Sequence, residues 1–403
     1  MLKLAFRSIF RHRVRTGLTL AAIIIGVTGL LVSGGFVEDI FYQLREHTIH
    51  SQLGHIQVYR SGYYESGQRE PFRYLIDKPR LTVDKLRALS GVADVMMRVN
   101  FSGLANNGAA DLPIVGEGVQ ASKEARLGSA MTMLAGRQLA DTDEFGVLIG
   151  QGVAQALGLI PGDFITLLVN TAGGALNSME FEVVGVFQSF SKEYDNRAVR
   201  ISLIGAQQLL ATQGVNSLVV SLNETEATDA VAAGIKRLLS GEAFEMYTWH
   251  ELADFYQKTV DLYRRQFGVL QIIVLILVLL SVANAVAMVV YERRGEFGTL
   301  MALGHRRGYI FKLILLENVI LGILGAGAGL LLGLALAWLI SHIGIPMPPP
   351  PNSNSGYTAH IRIIPSVIWT GVLTGWLATL LAAITPARRA SRLVVVEALR
   401  FNI

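Results

Sequence analysis

Four long apolar runs decide what this chain can become, and their uneven spacing matters as much as their number. The first extends from Gly17 to about Val37; the others are Phe267 to Tyr291, Ile310 to Ile343, and Pro365 to about Thr385. Each approaches or exceeds the ~20 residues that a helix needs to cross a bilayer. A backbone in hydrocarbon must satisfy its own hydrogen bonds, so each run is expected as a helix. Between the first and second runs lies a long polar stretch, 41–265, which must fold on its own terms. Of 403 residues, 51% are hydrophobic and 16% charged, a balance that suits neither a soluble enzyme nor a chain wholly inside lipid.

Charge assigns sides to these runs. Residues 41–266 hold 20 Lys/Arg and 25 Asp/Glu, whereas the other 15 basic residues meet only 6 acids. Lys3, Arg7, Arg11, Arg13 and Arg15 precede the first run; Arg293, Arg294, Arg306 and Arg307 lie between the second and third; Arg388, Arg389, Arg392 and Arg400 follow the fourth. The 344–364 loop holds only Arg362. By the positive-inside rule both termini and the 292–309 segment are cytoplasmic, and the large acidic stretch is outside. The end of the first run, Val32-Ser33-Gly34-Gly35-Phe36, lacks a small-residue cleavage pattern, so an uncleaved anchor is expected rather than a signal peptide.

The expected division is a basic N-terminus (1–16), a first transmembrane helix (17–40), and an extracytoplasmic α+β domain with stalk helices (41–265). A second helix (266–291), a cytoplasmic segment (292–309) and a third helix (310–343) follow. A Pro-rich outer loop (344–364), a fourth helix (365–385) and a cytoplasmic tail (386–403) complete it. The fold class is thus an α-helical membrane domain of four transmembrane helices plus a mixed α+β extracytoplasmic domain on helical stalks.

The cytoplasmic segment is too structured to be a simple hairpin. Phe297, Leu300, Met301 and Gly304 stand at i, i+3, i+4 and i+7, one face of a short helix. Glu292, Arg293, Arg294 and Glu296 precede that face, and His305, Arg306 and Arg307 follow it. The pattern predicts a short amphipathic helix, a surface made to be held by a partner.

In the third run Gly325, Gly329 and Gly333 recur every four residues, spacing that lets helices approach closely, within one chain or between subunits. Glu317, near the cytoplasmic end of the same run, must be hydrated, snorkelling or paired, and Lys312 and the Arg306–Arg307 pair are its candidate partners. No second acid or histidine lines up with it as a proton relay would require.

In the outer domain, Phe36, Ile40, Phe41, Leu44 and Thr48 continue the first helix, while Thr248 and Glu251 have capping-box spacing before Leu252, Phe255, Thr259 and Leu262. These stretches read equally as stalks that transmit movement or as helices packed on the domain. Strands are expected at Gly146–Gly150, Phe164–Val169, Glu180–Phe187, Val199–Leu203 and Val215–Leu222, and helices at Val153–Leu157, Ala206–Ala211 and Thr225–Leu239. The prolines of the outer loop, Pro346 and Pro348 to Pro351, favour a polyproline strut that serves as a spacer or a docking site.

Several chemistries find no support. There is no Gly-Lys dipeptide and hence no phosphate-binding P-loop. No G-x-S-x-G elbow occurs. His47, His50 and His55 cluster without H-E-x-x-H or cysteine ligands, so no metal site is assigned to them. The chain has no cysteine and therefore no disulfide.

One segment carries a family resemblance. Glu292-Arg-Arg-Gly-Glu296-Phe-Gly298-Thr-Leu-Met-Ala302-Leu-Gly304 is similar to the E-R-x-x-E-I-G-x-L-R-A-L-G pattern of the MacB/FtsX-type permease subunits of ABC transporters, which include the lipoprotein-releasing permeases. The tail Pro386-Ala-Arg-Arg-Ala390-Ser-Arg392-Leu with Glu397-Ala-Leu-Arg400, the Arg13-Val-Arg15-Thr16 entry, Gly136-Arg137, Gly158–Asp163 and Val183–Phe187 resemble the same family. Met301 replaces the usual arginine, and Val394-Val395 the usual Asp-Pro.

The resemblance implies a non-catalytic permease in the bacterial cytoplasmic (inner) membrane, with no cofactor of its own. ATP and Mg would be bound by two copies of a separate cytoplasmic ABC ATPase. Glu292, Arg293, Glu296, Phe297, Gly298, Leu300, Met301 and Gly304 would couple the ATPase to the outer domain. A second permease copy or paralogue, membrane lipids, and a periplasmic lipoprotein, adaptor or outer-membrane protein are the other implied partners; nucleic acid is not. The cargo class would be a lipoprotein, a hydrophobic compound or a peptide. The alternative is a transmembrane regulator that activates an envelope enzyme.

Overall fold

The structure, a computed structural model, describes residues 13–67, 70–127, 131–189, 191–349 and 356–394. Lys3, Arg7 and Arg11 of the basic N-terminus, Pro350 and Pro351 of the proline run, and Val395, Glu397 and Arg400 of the tail lie outside them. The chain divides into two compact units: Met1–Tyr42 with Val260–Pro346 and Thr358–Ile403, and Gln43–Thr259 with Met347–Tyr357.

The first unit is helical. It is built from α1 (Arg13–Thr48), which starts in this unit and ends in the other, and from a second long helix whose bounds are Asp254–Glu292. Arg294–Ala302, Arg307–Ile343 and Pro365–Ser391 complete it. Four of these are long and apolar enough to cross a membrane. In Asp254–Glu292 the side chains of Val278, Val282, Val286 and Val290 are buried at four-residue spacing, while Ile272, Ile273, Ile276, Leu277 and Leu280 are exposed. Lipid tails are as apolar as leucine, so the smaller valines face the bundle and the bulkier Ile and Leu side chains face outward.

The last helix departs from expectation. It runs through Pro386 to Ser391 instead of stopping at Thr385. A proline removes one intrahelical hydrogen bond and costs about 3 kcal/mol in a helix interior. Here Ala383, Ala387 and Ala390 are fully buried beside it, so close packing holds the helix together across the gap.

The second unit is a mixed α+β domain around one sheet. In chain order its elements are β1 (Ile56–Arg60), α2 (Pro79–Arg87), β2 (Val92–Asn106), β3 (Asp111–Val119), α3 (Ala121–Leu127), β4 (Thr132–Gly136), β5 (Gly146–Gly150) and α4 (Gln151–Leu157). Then come β6 (Phe164–Asn170), β7 (Leu176–Gln188), α5 (Lys192–Asp195), β8 (Ala198–Ser202), α6 (Leu203–Leu209), β9 (Ser217–Leu222), α7 (Thr228–Leu238), β10 (Phe244–Thr248) and α8 (Trp249–Leu252). In the same numbering, α9 is Asp254–Glu292, α10 Arg294–Ala302, α11 Arg307–Ile343 and α12 Pro365–Ser391.

The strand order is β10-β1-β9-β2-β3-β8-β5-β7-β4, with β6 paired to both β2 and β7. Among the described residues, only the β3–β8 and β5–β7 pairs are parallel. The 15-residue β2 is the organiser, since β9, β3 and β6 all pair with it. One core of Val, Ile, Leu and Phe, including Val99, Ile149, Ile165, Phe181 and Leu218, runs the length of the sheet. The capping box forms: the Thr248 amide donates to Glu251 Oε2 at 2.8 Å. It starts only the short α8, and α9 begins after the break at Ala253.

Candidate functional site

One arginine organises the corner between α9, α10 and α11. Arg293 has φ −90° and ψ 15°, between the two helices that flank it. Its amide still donates to the Val289 carbonyl at 3.1 Å, and its own carbonyl accepts from Phe297 at 3.0 Å, so backbone pairing persists around the corner. The side chain turns inward. Nη1 donates to Glu317 Oε2 at 2.8 Å and Oε1 at 3.0 Å, and Nε donates to Glu296 Oε2 at 2.9 Å. The guanidinium carbon also lies 4.9 Å from the Phe297 ring centroid, within cation–π range.

This arrangement corrects the expected partners of Glu317. Lys312, Arg306 and Arg307 are all exposed, whereas Glu317 and Arg293 are both buried. Lys312 is five residues from Glu317, which places it off the same helix face, and Arg306 and Arg307 precede the helix or start it. Arg293 reaches Glu317 because α10 folds back onto α11, a juxtaposition no local spacing records.

The remaining residues of the segment take distinct positions. Phe297 is fully buried in the core shared with Val286, Val290, Ile310, Ile314 and Ala383. Gly298 is buried, and Leu300 and Met301 are half-buried against the same core. The apolar face expected to meet a partner is therefore occupied by the chain's own helices. Glu292, Ala302, Leu303, Gly304, His305, Arg306 and Arg307 are exposed.

Gly304 is not part of the helix face. It has φ +92°, its amide donates to Met301, and His305 donates to the Leu300 carbonyl at 3.1 Å. That pair of bonds is a Schellman motif, and a left-handed residue is what it requires at this place.

The three glycines of α11 face α1. A Cβ on Gly325 would lie 2.8 Å from Ile23, one on Gly329 2.9 Å from Val27, and one on Gly333 2.9 Å from Leu31. Between α1, α9 and α12 an open groove of about 500 Å³ is lined by Ser33, Val37, Phe41, Arg264, Phe267 and Val367. The Arg264 guanidinium sits 5.7 Å from the Phe41 ring centroid.

In the α+β unit, residues that sequence reading passed over form a buried ionic cluster. Arg98 donates from Nε and Nη2 to Glu124 at 2.6 and 2.8 Å, and Arg200 Nε lies 2.9 Å from Glu117 Oε2. Arg200 also donates to Tyr194 Oη at 3.1 Å and to the Ser51 carbonyl at 3.2 Å. Burial alone would push Glu117 up, but Arg200 and Arg98 hold it below the usual carboxylate range. Burial likewise opposes the charge on Arg98, and Glu124 and Glu117 keep its pKa above the ordinary value. Two buried Arg–Glu ion pairs of this kind read as a structural staple.

Comparison with known proteins completes the description. The model described as "MacB-like periplasmic core domain" matches residues 16–238, and that described as "FtsX-like permease C-terminal" matches 268–395. The chain is similar to an uncharacterised ABC transporter permease of Methanocaldococcus jannaschii, 28% identical over 66% of this chain and 64% of that one. A lipoprotein-releasing system transmembrane protein LolC of Neisseria meningitidis is 23% identical over 96% of this chain and 94% of its own length. A macrolide export ATP-binding/permease protein MacB of Hyphomonas neptunium is 25% identical, covering 98% of this chain but 60% of that protein.

Proposed function

This chain belongs to the family of ABC transporter permeases that join a MacB-like periplasmic core domain to an FtsX-like permease region, and we propose that it relays the motion of a separate ATPase to that domain. The observation that carries this reading is α10. It is a short helix clamped to α11 through Arg293–Glu317, and its end exposes Leu303 to Arg307. A surface of that kind is open to a partner while Phe297 stays in the helical core. The chain has no P-loop of its own, so the nucleotide must be held elsewhere.

The relay uses the continuity of α1 and α9, which extend beyond the apolar segments as unbroken helices to Thr48 and from Asp254. Two permease copies and two ATPase subunits form the working assembly, with ATP and Mg bound by the ATPases and the 302–307 edge docked on them. Glu292, exposed at the end of α9, adds an anionic contact. The membrane is the bacterial inner membrane, with both termini and α10 on the cytoplasmic side.

The cargo is a lipoprotein or another hydrophobic or peptide substrate, taken at the outer face. The groove beside Phe41 and Phe267 supports this, because it offers mostly apolar walls with one cation, Arg264, and one acid, Glu38. The names of two relatives, one lipoprotein-releasing and one macrolide-exporting, bracket the same class.

The test is reconstitution with a cytoplasmic ABC ATPase from the same genome. Co-purification and stimulated ATP hydrolysis are expected, and Leu303→Glu should abolish both while leaving the permease folded. A permease that neither binds that ATPase nor alters its turnover would overturn the reading.

A further inference from the structure

We infer that the Arg293–Glu317 bridge is a latch: it positions α10 when closed, and it opens into a water-sized cavity beside it. This deepens the reading that α10 receives force from an ATPase and rests on it. The cavity has a volume of about 40 Å³ and is bordered by Thr19, Val286, Phe297, Ile314, Glu317 and Asn318. A water needs roughly 10–15 Å³ of such space together with two to four polar partners.

Asn318 supplies the telling atom. The residue is 3% exposed, and its Nδ2 donates to the Ile314 carbonyl at 2.9 Å. Its Oδ1 is buried and has no hydrogen-bond partner among the described residues. A buried acceptor left bare is costly, so an ordered water in this cavity is the natural donor to it. Arg293 and Glu317 border the same space, so a water held there would lie next to the ion pair inside an otherwise apolar bundle.

That placement decides between a latch and a permanent staple. Separating two charges in a dry interior exposes each to the full desolvation penalty, and such a pair stays shut. A water held in this cavity would give each charge a replacement partner as the bridge opens. Arg293 then keeps Glu296, 2.9 Å from Nε, so the arginine stays with α10 when Glu317 lets go. Arg293 is therefore a positioning residue, since it sets the orientation of α10 on α11 and touches no cargo or nucleotide.

The absence of cysteine makes the test direct. Spin labels at Ala302→Cys and Ile323→Cys in the full chain, in lipid nanodiscs, report the distance from the end of α10 to α11. Glu317→Gln should add a second distance population absent from the parent, and Glu317→Asp, which keeps the carboxylate, should restore the single one. An unchanged distribution in Glu317→Gln overturns the positioning role. Asn318→Leu tests the water: it fills the cavity and should leave the parent distance in place. With the reconstituted ABC ATPase it should still co-purify but lose most of the stimulation of ATP hydrolysis. Full stimulation in Asn318→Leu overturns the role of the cavity. Failure of the parent chain to co-purify would instead sink the ATPase reading, leaving the distance result standing on its own.

Discussion

Thr28 donates its hydroxyl to the carbonyl of Gly329 at 3.0 Å, tying α1 to α11 at the middle glycine of a stripe of three. The bond exists because Gly329 has no side chain to hold the two backbones apart: a Cβ there would lie 3.0 Å from the Ile24 carbonyl oxygen and 2.9 Å from Val27. Close approach turns a weak polar contact into part of the seam.

Gly329→Val should therefore destabilise the helical unit by about 1–3 kcal/mol, the usual cost of overpacking. Gly327→Ala is the control, since a Cβ at Gly327 meets nothing within 4 Å. Thermal unfolding of both variants in detergent, followed by tryptophan fluorescence, checks the contrast. Equal melting of the two would show that the stripe is not a packing seam.

Glu124→Ala strands Arg98, which is 3% exposed, without its bidentate partner. Leaving one member of a buried pair typically costs about 3–5 kcal/mol. The double variant Arg98→Met with Glu124→Leu removes both charges and should recover much of that loss. Chemical denaturation of the three proteins measures it, and a double variant as unstable as the single would contradict the pairing argument.

His55 makes stability depend on pH. The Leu222 amide can only donate, so His55 Nδ1, 3.3 Å away, is the acceptor and Nε2 carries the proton toward Thr225 Oγ1 at 3.1 Å. Burial first, then the nearby His50, pushes its pKa from 6.5 down to about 4; Glu46 and Glu226 pull the other way and Arg45 assists. With the folded value below the unfolded one, the unfolded chain binds the proton more readily. Stability is therefore full above pH 6.5, falls as pH drops toward 4, and loses on the order of 3 kcal/mol over that window. His55→Gln should flatten the pH dependence of unfolding between pH 6.5 and 4, and an unchanged slope would assign it to other groups.

Gly304→Val should fray the end of α10 by about 1–2 kcal/mol, because a β-branched residue resists a φ of +92°. Gly304→Asn should be milder, since asparagine tolerates the left-handed region. No side chain stands in the way of a Cβ there, so the difference between the two variants isolates backbone strain. Stimulated ATP hydrolysis in the reconstituted complex should fall in the same order.

Much of the architecture was readable along the chain. The strands at Gly146–Gly150 and Phe164–Asn170, the helix Gln151–Leu157 between them and the glycine turn after it follow from short apolar runs bounded by Gly and Pro. β1 and β10 escaped notice for a physical reason. Ile56–Val58 and Tyr59 are all buried, which erases the two-residue alternation, and β10 is half-buried throughout, which blurs it. Gly304 was misplaced because its four-residue step from Leu300 fits a helix face as well as it fits a Schellman end. The Met301-Ala302-Leu303-Gly304 ending did contain the signal, a glycine just past the last helical turn.

Hydropathy and charge by themselves determined the four apolar helices, the large polar insertion and a short amphipathic helix between the second and third, because these are properties of consecutive residues. Only the tertiary structure decided that Phe297 faces inward, that Glu317 pairs with a residue 24 positions away, and that Thr28 meets Gly329 across 301. Inside a bundle a charge or a missing side chain acquires its role from whichever helix is packed against it, and periodicity says that a face exists without saying what will cover it.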